Sequence, residues 1–106
     1  MQMNSRQLAA YRDLLNHALV HDTDTARAAG AILLNSYNDG LPNTEFKIGR
    51  FRHFDSINRA NLLTYLEWLG SAPGLYPPSD DMDDLKRAWT ERGWFKRRTG
   101  QPARRC

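Results

Sequence analysis

Apolar positions along the chain fall into four stretches with helical spacing, separated by polar turns. In the first, Leu8, Tyr11, Leu15 and Ala18 recur at intervals of three and four to about His21, and Asn4 with Gln7 has the spacing of a capping box. The second begins in the run "DTDT", where short oxygen-bearing side chains suit a helix start. Its stripe is Ala26, Ala29, Leu33 and Tyr37, with small residues at 26, 29 and 30 that would let another helix approach closely. "NDG" at 38–40 ends it, with Gly40 available for a left-handed cap. The third helix is capped by Asp55 and runs through "SINRANLLTYLEWL" to Gly70. Its last two turns are apolar almost all round, which predicts a central helix surrounded by the others.

"GSAPGLYPPS" (70–79) is a stiff connector, because Pro73, Pro77 and Pro78 forbid regular helix there. Ser79 is expected to cap the fourth helix, whose stripe is Met82, Leu85 and Trp89 and which Gly93 closes. Its early acids (Asp80, Asp81, Asp83, Asp84) and late cations (Lys86, Arg87, Arg92) match the helix dipole. The pattern predicts an all-α, compact bundle of four helices at about 5–21, 24–38, 56–69 and 80–92. An irregular or single-turn crossover at 41–54 joins the second to the third. The helical domain is expected to span 1–92, followed by a basic tail over 93–106. Phe46 and Ile48 alternate for too short a distance to make a strand, and no second strand exists to pair with.

Composition adds bounds. At 106 residues, 41% hydrophobic and 25% charged, the chain is one ordinary globular domain. No apolar run approaches the roughly 20 residues that cross a bilayer. The start "MQMNSRQLAA" lacks the layout of a signal peptide, and the single cysteine, Cys106, cannot form an intrachain disulfide. A cytoplasmic protein is the expectation. The net charge of +3 is uneven: residues 93–106 carry five cations and no acid, whereas the rest holds ten cations against twelve acids.

Candidate chemistry is sparse. Asp13, His17 and His21 share one helix face, but it lies opposite the apolar stripe and lacks the glutamate of a zincin motif. "DDMDD" sits at a helix start and lacks the spaced oxygens and glycine of a calcium loop. No phosphate loop, nucleophile elbow, dinucleotide fingerprint or CxxC pair occurs. The expectation is a protein that is not an enzyme, with no metal, no cofactor and no small-molecule substrate.

Two basic elements stand out. In "FKIGRFRHFD" (46–55), Phe46, Ile48, Phe51 and Phe54 are what the crossover has to bury, so most of them are expected in the core. Burying them pushes Lys47, Arg50, Arg52 and Arg59 outward together, four cations against the single acid Asp55 over 46–59. In the tail, Trp94 and Phe95 stand beside Lys96, Arg97 and Arg98, with Arg104 and Arg105 further on. These two rings either stack bases next to cations or fold back onto the bundle. Truncation after Arg92 is expected to leave the helices intact, because the stripes lie upstream. Neither element holds a sequence-reading motif, so any DNA binding would run through phosphates.

"HDTDTARAAGAILLNSYNDG" followed by "FKIGRFRHFDSINRANLLTYLEWL" resembles a family of small uncharacterised proteins of phages and integrated mobile elements, over residues 22–69. In size and helical build the chain also resembles the small anti-CRISPR inhibitors of type I-E systems. That resemblance implies binding without catalysis, to the Cascade surveillance complex, the Cas3 nuclease-helicase, or the single-stranded or R-loop DNA they open. It places the protein in the cytoplasm of an infected or element-carrying bacterial host. The charge of +3 departs from the acidic inhibitors that mimic DNA and favours nucleic acid or an acidic protein patch. The alternative is a small nucleic-acid-binding or regulatory protein of a mobile element. Against it, the 70–79 connector is too long and proline-rich for a helix-turn-helix turn.

Overall fold

The computed structural model describes residues 3–71 and 74–95; Lys96, Arg97, Arg98, Arg104, Arg105 and Cys106 lie outside the described residues. Four α-helices form: α1 (Ser5–Val20), α2 (Asp24–Tyr37), α3 (Ser56–Ser71) and α4 (Ser79–Arg92). A 3-10 helix at Ile48–His53 lies between α2 and α3, and no strand occurs among the described residues. The chain is an all-α bundle.

Local chemistry explains the helix starts. The Asn4 side chain accepts from the Gln7 amide while Gln7 accepts from the Asn4 amide, a reciprocal capping box. Thr23 caps α2 by accepting from the Ala26 amide, and Asp55 caps α3 by accepting from the Asn58 amide. Two expected caps differ. Ser79 is already helical; Pro78 precedes it and makes no side-chain cap bond. At the end of α2 the Asn38 side chain accepts from the Gly40 amide, so the turn closes without a left-handed glycine. Gly93 does take that conformation, at φ 75°, and ends α4 as expected.

The core also departs from the sequence expectation. The most enclosed helix is α2, where Ala26 and every residue from Ala28 to Leu34 are buried. The small side chains at its start let α4 lie close, with Trp89 against Gly30. α1 packs on α2, α3 and α4 through Tyr11, Leu14, Leu15 and Ala18. α3, expected to be surrounded, packs mainly on α1 and buries Leu62, Tyr65 and Trp68, leaving Leu63 and Leu66 exposed. A helix apolar all round can have a side with no helix against it, and α3 has one.

Polar ties lock the packing. Tyr11 Oη donates to Asp81 Oδ2 at 2.8 Å, so one of the acids that opens α4 holds α1. Tyr65 Oη lies 2.6 Å from Ser36 Oγ, which itself reaches the Leu33 carbonyl. Arg92 donates to the carbonyls of Ala18 and Leu19 at 2.8 and 2.6 Å, satisfying the open end of α1 from the last turn of α4.

Candidate docking surface at the crossover

A 3-10 helix has three residues per turn, so positions three apart form rows. Ile48, Phe51 and Phe54 make one row, Lys47, Arg50 and His53 a second, and Gly49 with Arg52 a third. The apolar row faces α3 and the second row faces the start of α2, while Arg52 is exposed.

Burial decays along the apolar row. Phe54 is buried and holds Phe46 edge-on at 6.2 Å and Phe51 at 6.4 Å, and both of those rings are half-buried. Ile48, expected to be core, is 80% exposed. The row leaves the body at its first residue, because six residues of 3-10 helix seat one end firmly and overhang at the other. Across from it, Leu63 and Leu66 are 55% and 42% exposed. Phe46, Ile48 and Phe51 on one side and Leu63, Leu66 and Leu69 on the other bound a groove of about 360 Å³ floored by Ile32 and Leu62. Its polar lining is Asn35, which donates to Thr44, and Ser36, which is bonded to Tyr65 and Leu33. Contiguous apolar surface around a concave floor is the signature of an interaction site, whereas scattered exposed leucines are ordinary.

The predicted cations separate on this frame. Lys47 and Arg50 line a hollow that also holds Asp24 and Glu45, and Arg50 lies 3.9 Å from the Asp24 carboxylate. The local positive field is therefore partly offset by Glu45, a near neighbour in sequence, and by Asp24, a distant one. Lys47 and Arg52 are exposed and make no ion pair with a described residue. Arg59 is half-buried and donates to the Phe54 carbonyl at 3.4 Å, standing on α3 one turn before Leu63.

Trp94 and Phe95 fold back. Trp94 meets Trp89 at right angles, 5.4 Å between centroids, and Phe95 lies 5.2 Å from the same indole. Arg92 sits over the Trp94 ring at 4.8 Å, and Arg27 lies near both indoles. Asn43, in the left-handed region at φ 62°, donates to the Phe95 carbonyl at 3.0 Å. These rings are core for the end of α4, so the packed body runs to Phe95, and ending the chain at Arg92 would strip a face of Trp89. The truncation after Arg92 that was expected to leave the helices intact therefore removes two rings packed on Trp89.

Burial raises Tyr11 far above its ordinary range and pushes Tyr65 up to about 12, so both stay protonated hydrogen-bond donors. His17, placed on the solvent face from sequence, is half-buried with Nε2 enclosed and without a partner, and its ring lies 4.7 Å from His21. Burial first, then His21, lowers its pKa. Among the described residues no three metal-ligating side chains are gathered together. Sequence reasoning missed Leu63 and Leu66 as surface by assigning them to the core. The period of three in "FKIGRFRHF" was the available signal for the groove's other wall.

No curated protein and no solved structure shows a match to the chain. No helix of the described residues is long and apolar enough to cross a membrane. Residues 8–93, which span all four helices and the crossover, match the family described as a family of unknown function, DUF7673, and the chain belongs to that family.

Proposed function

We propose that this protein is a non-enzymatic binding protein that works by occupying a macromolecular partner, with the crossover and the adjoining face of α3 as its working surface. The observation that carries this reading is the apolar groove whose rims, Ile48, Leu63 and Leu66, are exposed together around one concave floor, whereas the other exposed large hydrophobics, Val20, Ile57 and Tyr76, do not line it. Covering three such side chains is worth several kcal/mol, at about 1.5–3 kcal/mol for each one fully buried.

The specific form proposed for this activity is inhibition of a type I-E CRISPR system by binding Cascade, Cas3 or the DNA they open, inside the bacterial cell. The small helical build and the resemblance of residues 22–69 to proteins of phages and mobile elements are what support that form. A plaque assay in a host with active type I-E immunity tests it. Expression should rescue a targeted phage, and a variant with Ile48→Asp and Leu66→Asp should not. No rescue by the unaltered chain ends the CRISPR form.

A second reading, direct nucleic-acid binding, is favoured by the cations Lys47 and Arg50 of one row with Arg52 beside them. Acids beside that row and the inward Trp94 and Phe95 rings weaken it. A gel shift on random duplex and single-stranded oligonucleotides discriminates: retention that disappears in Lys47→Ala/Arg52→Ala would favour this reading over the first.

A further inference from the structure

We infer that the groove between the 3-10 helix and α3 takes the apolar face of an acidic amphipathic helix of a partner protein; this rests on the reading of that groove as the working surface. Shape is the first argument. The α3 wall that lines the groove, from Leu62 to Leu69, spans seven residue rises, or about 10.5 Å. That is the reach of an i, i+4, i+7 stripe on a docked helix, the usual helix-in-groove mode. The groove's own polar groups, Asn35 and Ser36, are bonded internally, so its floor suits aliphatic anchors better than nucleotide bases.

Charge decides the polar half of the occupant. None of the described residues lining the groove is acidic. Arg59 precedes Leu63 by one turn on the same wall, and Arg52 is exposed on the opposite element without an ion pair among the described residues. Glu67, an acid of α3, is held at 2.6 Å by Arg6 of α1 on the far side. A docked helix therefore meets cations at the rims, and carboxylates flanking its apolar stripe gain where lysines would be repelled. The same cations argue against a second copy of this chain. A two-fold contact places like patches against each other, bringing Arg52 and Arg59 of both copies to one seam.

The test uses the full chain and three fluorescent helical peptides of about 18 residues with one leucine stripe and polar faces of glutamate, of lysine, or of both alternating. The glutamate-faced peptide should bind at least about tenfold tighter than the lysine-faced one, a preference that shrinks as salt rises from about 50 to about 500 mM. Ile48→Asp and Leu66→Asp, both at exposed positions where the fold tolerates a polar side chain better than in the core, should each weaken binding by about tenfold or more, with the helical signal of each variant checked alongside. Arg52→Glu should lower the preference for the acidic peptide without changing affinity for the alternating one. Equal binding of all three peptides, or binding to none, overturns the proposal. If the chain instead self-associates in sedimentation velocity and Ile48→Asp abolishes that, the occupant is a second copy; the proposal then fails while the docking reading stands. Binding to vesicles of anionic lipid in preference to every peptide likewise overturns it.

Discussion

Trp89 and Gly30 fix the spacing of α4 and α2: a Cβ built on Gly30 would come within 2.7 Å of the buried Trp89 Nε1. Trp89 cannot move freely, since Trp94 and Phe95 close its other sides. Alanine at position 30 gains up to about 1 kcal/mol of helix propensity and pays overpacking of about 1–3 kcal/mol. Gly30→Ala should therefore lower the urea midpoint. Gly70→Ala, in α3 with no atom within 4 Å of its added Cβ, should raise stability by about 0.5–1 kcal/mol.

Arg92 joins three features: two carbonyls at the end of α1, the last turn of α4 and the face of Trp94. Arg92→Ala leaves those carbonyls without the charged donor and uncovers the indole, at a cost of about 2–3 kcal/mol. Arg92→Lys should recover only part, because an ammonium cannot repeat the forked contact. Denaturant midpoints of the three proteins, measured side by side, check the order.

Chains ending at Arg92 and at Phe95 should behave differently. Removing Trp94 and Phe95 gives up two half-buried rings, worth about 2–4 kcal/mol together. Thermal melts should show the longer truncation matching the full chain and the shorter one clearly weakened.

His17 gives the fold a pH dependence of definite sign. Its pKa is lowered in the folded chain by burial and by His21, an effect Asp55 partly opposes. The unfolded chain then binds the proton first, so stability is full above the ordinary histidine pKa of about 6.5 and falls as pH drops below it, levelling once the folded ring protonates. Urea midpoints at about pH 7.5 and about pH 5.5 should differ in the unaltered chain and differ less in His17→Leu.

Helix existence and the Asn4 and Asp55 caps were legible in the sequence because period and cap chemistry are local. The Trp89, Met82 and Leu85 stripe was legible for the same reason. The most enclosed helix was not. α2 is rich in alanine and looks less apolar than α3, yet small side chains are what allow neighbours to close around a helix. Arg92 looked like a partner for its own helix dipole, and only tertiary placement gives it the carbonyls of α1. The rows of the crossover repeat every three residues, which neither strand alternation nor an α-helical stripe reveals, and Asp24 beside Arg50 cannot be foreseen from a sequence separation of 26.

Site-specific photo-cross-linking in native cells addresses the groove itself, with the reactive side chain placed at Ile48, at Leu66 or, outside the groove, at exposed Glu91 of α4. The account predicts that positions 48 and 66 capture the same partner protein and that position 91 captures none. Capture from position 91 alone, or equal yields at all three positions, would contradict it.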